Sequence, residues 1–389
     1  MRNVIRVILL VIVNLTLLKY QTKAQSNIIF GPEIPVVING LTFDAMEPFL
    51  SVDENVLFFN SLNAGGNTNL YYAIRVNDST FTYVGLVNGT LDTSSNHLDA
   101  VASMDSTNRF YWVSLRNYPN VFENLQSGFY NGASVGNIKR VYGNFNIPSL
   151  GWLIMDAAIS HQGTNLYYCN AFFDFVNNSC GAGIPCSASI GVAQKVNDST
   201  FNKLPNTNAV FALVNDTNFL VYAPQVTHDG LELYFTRLLK NTFNTQVCVA
   251  VRNTINDNFS APQIIHQNNG FAPEGPTINA NKTKLYYHQK DGTGLHKIFL
   301  RYRTNSVGYI DAKSDKKFLV FPNPVEDKLN VNIDSAPGAF ELKLLTLDGR
   351  ILLSSKNEKC IDFTEFSKGI YLLQVFTANN NYIQKIIKE

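Results

Sequence analysis

The chain has 389 residues, 45% of them hydrophobic and 16% charged, which allows more than one domain and supplies ample material for a core. Its net charge is +1 and it carries no basic stripe, which excludes the electrostatic footprint of a nucleic-acid binder. Asn, Ser and Thr stand where charge would be expected, and 18 Tyr and 27 Phe favour strands, so the composition points to a β-rich extracellular protein.

At the N-terminus, Arg2 and Arg6 precede an apolar run from Val7 to Leu18, broken by Asn14 and Thr16. Thr22-Lys23-Ala24 then offers small residues before a cut after Ala24. The pattern predicts a secretory signal peptide over residues 1–24, with an N-terminal membrane anchor as the alternative. The run is short for a bilayer span, no Cys follows it to take a lipid, and no later stretch is long enough to cross, so no transmembrane anchor is expected. The expected destination is the outside of the cell or its outer surface, by way of the periplasm.

Residues 25–303 repeat one phrase five times: "EPFLSVDENVLFF" from Glu47, "DAVASMDSTNRFYW" from Asp99, "DAAISHQGTNLYY" from Asp156, "APQVTHDGLELYF" from Ala223 and "EGPTINANKTKLYY" from Glu274. Each is a short strand, a polar turn and a second strand closing on aromatics. A third strand follows, such as "NLYYAIRV" from Asn69, and then an outer one, such as "QIIHQ" from Gln263. The phrases recur about every 50–70 residues, a period that predicts four-stranded blades of a β-propeller. Strands alternate their faces, so each aromatic pair should serve both neighbouring blades. The last repeat lacks an outer strand, and "FGPEIPVVI" from Phe30 resembles such a segment, so the N-terminus should complete the final blade. The expectation is an all-β fold with a five-bladed propeller, six blades being the alternative. These phrases resemble the repeats of TolB-like β-propellers, best at Pro224, Thr227, Asp229, Gly230, Tyr234 and Phe235. That resemblance implies a fold and leaves the function open.

Among the five cysteines, Cys180 and Cys186 could close a small loop, with Cys169 as a rival partner. Residues 304–317 turn polar and read as a linker. Residues 318–389 then show seven short strand patterns, predicting a small Ig-like β-sandwich. This segment resembles the type A sorting domain of the type IX secretion system of Bacteroidetes. The matching residues are Phe321-Pro322-Asn323-Pro324, Leu329-Asn330-Val331, Asp348-Gly349-Arg350, Lys368-Gly369-Ile370-Tyr371 and Lys385-Ile386-Ile387-Lys388. The resemblance implies that the type IX secretion machinery is a partner and that the product is released or anchored at the surface. Asp-Ser-Thr at Asp78, Asp105 and Asp198 looks like a Bacteroidetes O-glycosylation acceptor, with ordinary Asx turns as the plainer account.

The candidate site comes from symmetry. The phrases open on Glu47, Asp99, Asp156, Ala223 and Glu274, so four carboxylates should converge at a channel mouth. Such a ring could hold Ca²⁺ or attract a cation, or each carboxylate could instead be bonded into its own loops. Ca²⁺ is the one cofactor such a ring suggests, and none is required. The six His form no zinc motif, and His161 and His228 read as surface turn residues. No hydrolase signature is present. The expected function is binding of a glycan or protein ligand by an exported propeller. The alternatives are a glycan-acting hydrolase or lyase using the channel carboxylates, and a structural envelope component.

Overall fold

The computed structural model describes residues 27–63, 67–91, 97–181, 183–242, 244–268, 270–304, 318–333, 340–346, 350–377 and 381–389. The expected signal peptide, most of the expected linker and Gly349 lie outside them. The chain divides into two compact units, residues 1–306 and 307–389, described separately below. Among the described residues the fold is all-β, apart from one short helix, Thr207–Val210.

The N-terminal unit contains five antiparallel meanders. The first pairs Met46–Leu50, Val56–Asn60, Leu70–Asn77 and Thr80–Leu86, with Val37–Asn39 added in parallel outside. The second pairs His97–Met104, Arg109–Ser114, Leu125–Tyr130 and Val135–Arg140. The third pairs Trp152–Ile159, Asn165–Phe172, Ser187–Asn197 and Thr200–Lys203. The fourth pairs Phe219–Val226, Glu232–Leu239, Thr245–Val251 and Gln263–Gln267. The fifth has only Glu274–Ile278, Lys284–Lys290 and His296–Thr304 from its own stretch of chain. Its outer position is filled from the other end of the unit, where Ile29 pairs with Thr304 and Ile34 with Leu300.

In the first and fourth sheets the turn between the first two strands is set by a hydroxyl and a carboxylate. In the fourth sheet, Thr227 Oγ1 donates to Asp229 Oδ1 at 2.6 Å and accepts from the Glu232 N–H at 3.0 Å. Gly230 between them has φ +72°, which the tight turn demands and a Cβ would resist. Ser51 and Asp53 repeat the device in the first sheet, where the hydroxyl accepts from the Val56 N–H at 2.9 Å. Register is therefore fixed locally, and the second strand leaves with its aromatics on the correct faces.

Those aromatics build the cores between sheets. Phe58 packs with Phe110 and Trp112 between the first and second sheets. Tyr111 and Tyr168 share a core between the second and third. Tyr167 and Phe235 meet between the third and fourth, and Tyr234 and Tyr287 between the fourth and fifth. Tyr286 and Phe59 complete the cycle between the fifth and first. No sheet could hide both its faces alone, so the cyclic packing supplies the burial that drives folding.

The C-terminal unit pairs Phe318–Phe321, Lys328–Ile333 and Cys360–Asp362 in one sheet. Its second sheet runs Ile351–Lys356, Glu341–Leu345, Gly369–Phe376, Asn381–Lys388. Leu329, Val331, Leu342, Leu344, Phe363, Leu373 and Ile386 form their shared core.

Candidate functional site: an acid-floored cavity

The first strand of every meander is interrupted by a register shift, in the segments 46–49, 100–103, 154–156, 222–225 and 274–277. Four of these bulges hold a residue in the left-handed region: Glu47 (φ 50°), Val101 (φ 56°), Ala223 (φ 50°) and Gly275 (φ 61°). A β-branched residue at such a φ is strained, by roughly 1–3 kcal/mol. Bulges of this kind re-aim side chains. Glu47, Val101, Asp156, Ala223 and Gly275 and the residues after them enclose a narrow space where the five strands converge. Gly275 approaches so closely that a Cβ would stand 3.2 Å from Glu47 Cα and 3.1 Å from His288 Nδ1.

This geometry corrects the symmetric ring. The structurally equivalent positions are those of Glu47, Val101, Asp156, Ala223 and Gly275, so Asp99 lies two residues and Glu274 one residue ahead of the shared position. Asp99 does not line the cavity. Its buried carboxylate takes the indole N–H of Trp112 at 3.1 Å and pairs with Arg116 Nη2 at 3.0 Å. The aligned phrases concealed this because the second strand's bulge falls later relative to its acid.

Glu47, Asp156 and Glu274 do come together. They line a cavity of about 450 Å³. Much of the rest of its lining is apolar, with Met155, Phe173, Phe175, Ile184, Leu220 and Leu238. Half-exposed Phe175 and exposed Asn63 also line it, so the cavity opens to solvent. Much of the wall is carried by the loop between Phe172 and Ser187, closed by a disulfide between Cys180 and Cys186. Cys169, the rival partner, is a buried free thiol. Phe173 and Phe175 stack at 5.7 Å, and Tyr118 meets Phe175 edge-on at 6.2 Å.

Each of the three acids is held differently. Asp156 Oδ2 accepts the Ala223 N–H at 3.1 Å. Glu47 Oε1 accepts from Asn63 at 3.1 Å, while its Oε2 is shut away from water with no partner among the described residues. Glu274 has the Tyr222 hydroxyl beside it, which favours its charged form. Burial raises Glu47 to about 8, helped by repulsion from Asp156 and Glu274. Burial likewise raises Asp156 and Glu274 to about 7. Near neutral pH the trio therefore shares protons and accepts positive charge readily.

His288 lies behind Glu47, a placement that no local pattern marks. Its Nδ1 accepts the Glu47 N–H at 3.0 Å, which puts the neutral ring's proton on the enclosed Nε2. Burial, with His296 nearby, lowers its pKa to about 3. His161 and His228, read as turn residues, do occupy equivalent turns, and their rings stack at 4.0 Å. Among the described residues, no three His, Cys, Asp or Glu side chains are placed to hold a metal ion together.

The motif residues of the C-terminal unit tie its ends together. Asn323 accepts from the Ile387 N–H at 2.9 Å and donates to the Lys385 carbonyl at 2.7 Å. Tyr371 packs in the core and donates to the Ser367 carbonyl at 2.6 Å, while Phe321, Lys368 and Gly369 are exposed. Pro322 and Pro324 flank Asn323 on the exposed stretch that leads to buried Val325. Residues 319–389 match the family model described as a secretion system C-terminal sorting domain. This segment is a sorting domain.

Among curated proteins, none matches the chain in sequence. Similar solved structures include a family 117 glycoside hydrolase of the marine bacterium Zobellia galactanivorans, at 8% identity and TM-score 0.46, covering 71% of this chain and 90% of that one. The catalytic domain of a family 62 α-L-arabinofuranosidase from Coprinopsis cinerea aligns at 12% identity and TM-score 0.44, covering 72% and 98%. At these values neither bears on activity. No helix among the described residues is long and apolar enough to cross a membrane.

Proposed function

We propose that this protein is exported through the type IX secretion system, and that its N-terminal unit is a five-bladed propeller binding a ligand in the acid-floored cavity. The sorting domain and the signal-like N-terminus support export. The five meanders, their cyclic cores and the strands borrowed from the N-terminus support the blade count. The observation that carries the binding reading is the juxtaposition of Glu47, Asp156 and Glu274 with an apolar wall in one open cavity of about 450 Å³, a size usual for small-ligand sites. The apolar wall favours a protein side chain over a glycan. Leu98 lines the cavity and is partly buried, so Leu98→Trp would fill it. Thermal-shift screening of the full chain against peptides and glycans should find a stabilising ligand that Leu98→Trp no longer binds. A ligand bound equally well by both proteins would place the site elsewhere. Deleting residues 318–389 should strand the protein in the periplasm, and undiminished export would overturn that half of the reading.

A second reading is hydrolysis. A carboxylic acid raised to about 7 or 8 can donate a proton at neutral pH. Turnover of any glycan that Asp156→Asn abolishes would favour it.

A further inference from the structure

We propose that the cavity takes an alkylammonium group, its charge on Glu47, Asp156 and Glu274 and its apolar stem against Phe173, Phe175 and Leu220. The inference rests on the binding reading above and names its ligand class. Two independent features converge. The first is negative capacity without a counter-charge in the cavity itself: its lining includes three carboxyls and no Lys or Arg. Glu47 Oε2 is enclosed and has no hydrogen-bond partner among the described residues, so the carboxyl that lines the cavity is not neutralised from behind. Leaving such a group unsatisfied costs about 1–3 kcal/mol, more if it is charged. The second feature is the wall. Phe173, Phe175 and Tyr222 present aromatic rings, and ring faces attract ammonium groups while their bodies shelter an alkyl stem. A phosphate or carboxylate ligand would be repelled once the trio ionises, and a sugar would find few polar partners among the apolar lining residues.

The surrounding charges are few. Glu274 feels Lys290 at longer range and has the Tyr222 hydroxyl beside it. Glu47 has His288 on its backbone N–H, and that ring stays neutral. Asp99 is paired with Arg116 outside the cavity lining. Bound cation should therefore drive protons off the trio, and affinity should rise as the pH rises.

Isothermal titration of the full chain with hexyltrimethylammonium, n-hexylamine and 1-hexanol separates the outcomes. The quaternary probe keeps its charge at every pH, so a pH effect belongs to the protein. Expected are binding of both ammonium probes, roughly tenfold tighter at pH 8.5 than at pH 6 for the quaternary one, proton release visible as a buffer-dependent heat, and roughly tenfold weakening in Glu47→Gln. Hexanol binding as tightly as the ammonium probes would overturn the ligand class and leave the cavity reading standing. No binding by any probe overturns the class and counts against the cavity as well. Ammonium binding that ignores both pH and the Glu47→Gln, Asp156→Asn double variant also overturns the proposal. Should the variants fail to fold, the pH dependence and proton release of the unaltered protein still decide.

Discussion

Tyr234 and Phe235 are neighbours in the chain, yet their rings lie in different cores. Tyr234 packs with Tyr287, Val247 and Leu285 of its own and the fifth sheet, and Phe235 with Tyr167 and Ile190 of the third. One dipeptide thus joins three sheets. Every repeat carries such a pair in its second strand, and each pair is shared across two interfaces.

Truncating one member should therefore weaken the whole N-terminal unit. Phe235 is fully buried, so Phe235→Ala should cost about 3–5 kcal/mol. Both tryptophans of the chain, Trp112 and Trp152, belong to this unit, so their fluorescence in urea reports its unfolding alone. A single transition shifted to lower urea is expected. A second transition limited to the fourth sheet would contradict cooperative packing.

The ion pair of Asp99 and Arg116 gives a second expectation. Asp99 is buried, and Arg116 also donates to Ser114 Oγ at 2.8 Å and to the Thr90 carbonyl. Removing one partner of a buried pair costs about 3–5 kcal/mol. Arg116→Met should show that loss, and adding Asp99→Asn should recover part of it. Urea titrations of both variants measure the difference, and equal stability of single and double variants would show that the pair is not coupled.

The loop carrying Phe173, Phe175 and Ile184 depends on its disulfide. Closing so short a loop is worth about 2 kcal/mol in chain entropy. Cys180→Ser with Cys186→Ser should leave the sheets intact and expose the loop to limited proteolysis. Cleavage mapped by mass spectrometry to residues 173–186 is expected in the variant and absent from the parent. Equal resistance would mean that packing of Phe173 on Phe175 holds the loop unaided.

The architecture was legible in the sequence because a strand's period of two and its polar turns are local. The phrase from Ala223 to Phe235 contains both the Thr227–Asp229 turn and the aromatic pair, so the meanders could be read from it. The site was legible only in part. Glu47 and Asp156 stand where the aligned phrases put them, but the alignment assumed an equal offset between each acid and its bulge. A bulge is a backbone event with no fixed residue signature, since Glu47, Val101, Ala223 and Gly275 all adopt one conformation. Asp99 was therefore assigned to the wrong environment. The apolar wall comes from Phe172–Ser187 and from strands of several sheets, contacts that no local pattern encodes.

The buried acids also set how stability responds to pH. Glu47, Asp156 and Glu274 titrate near 8, 7 and 7 in the folded protein, above their ordinary 4.5, 3.8 and 4.5. Between those values the folded chain holds protons that the unfolded chain has released, so stability falls as the pH rises. His288 acts oppositely: with its pKa near 3 against an ordinary 6.5, it weakens the fold as pH drops below about 6.5 and has no effect above about 7.5. The window from pH 6.5 to 8.5 is therefore governed mainly by the carboxyls. Urea titrations followed by tryptophan fluorescence should show stability declining across it, by up to about 1.4 kcal/mol per pH unit for each proton that the folded chain alone still holds. Glu47→Gln removes one titrating group and should make the decline shallower by about one proton's worth. A slope unchanged by that substitution, or stability that rises with pH, would mean that the Glu47 carboxyl is ionised in the folded protein and that the cavity floor is wetter than its geometry implies.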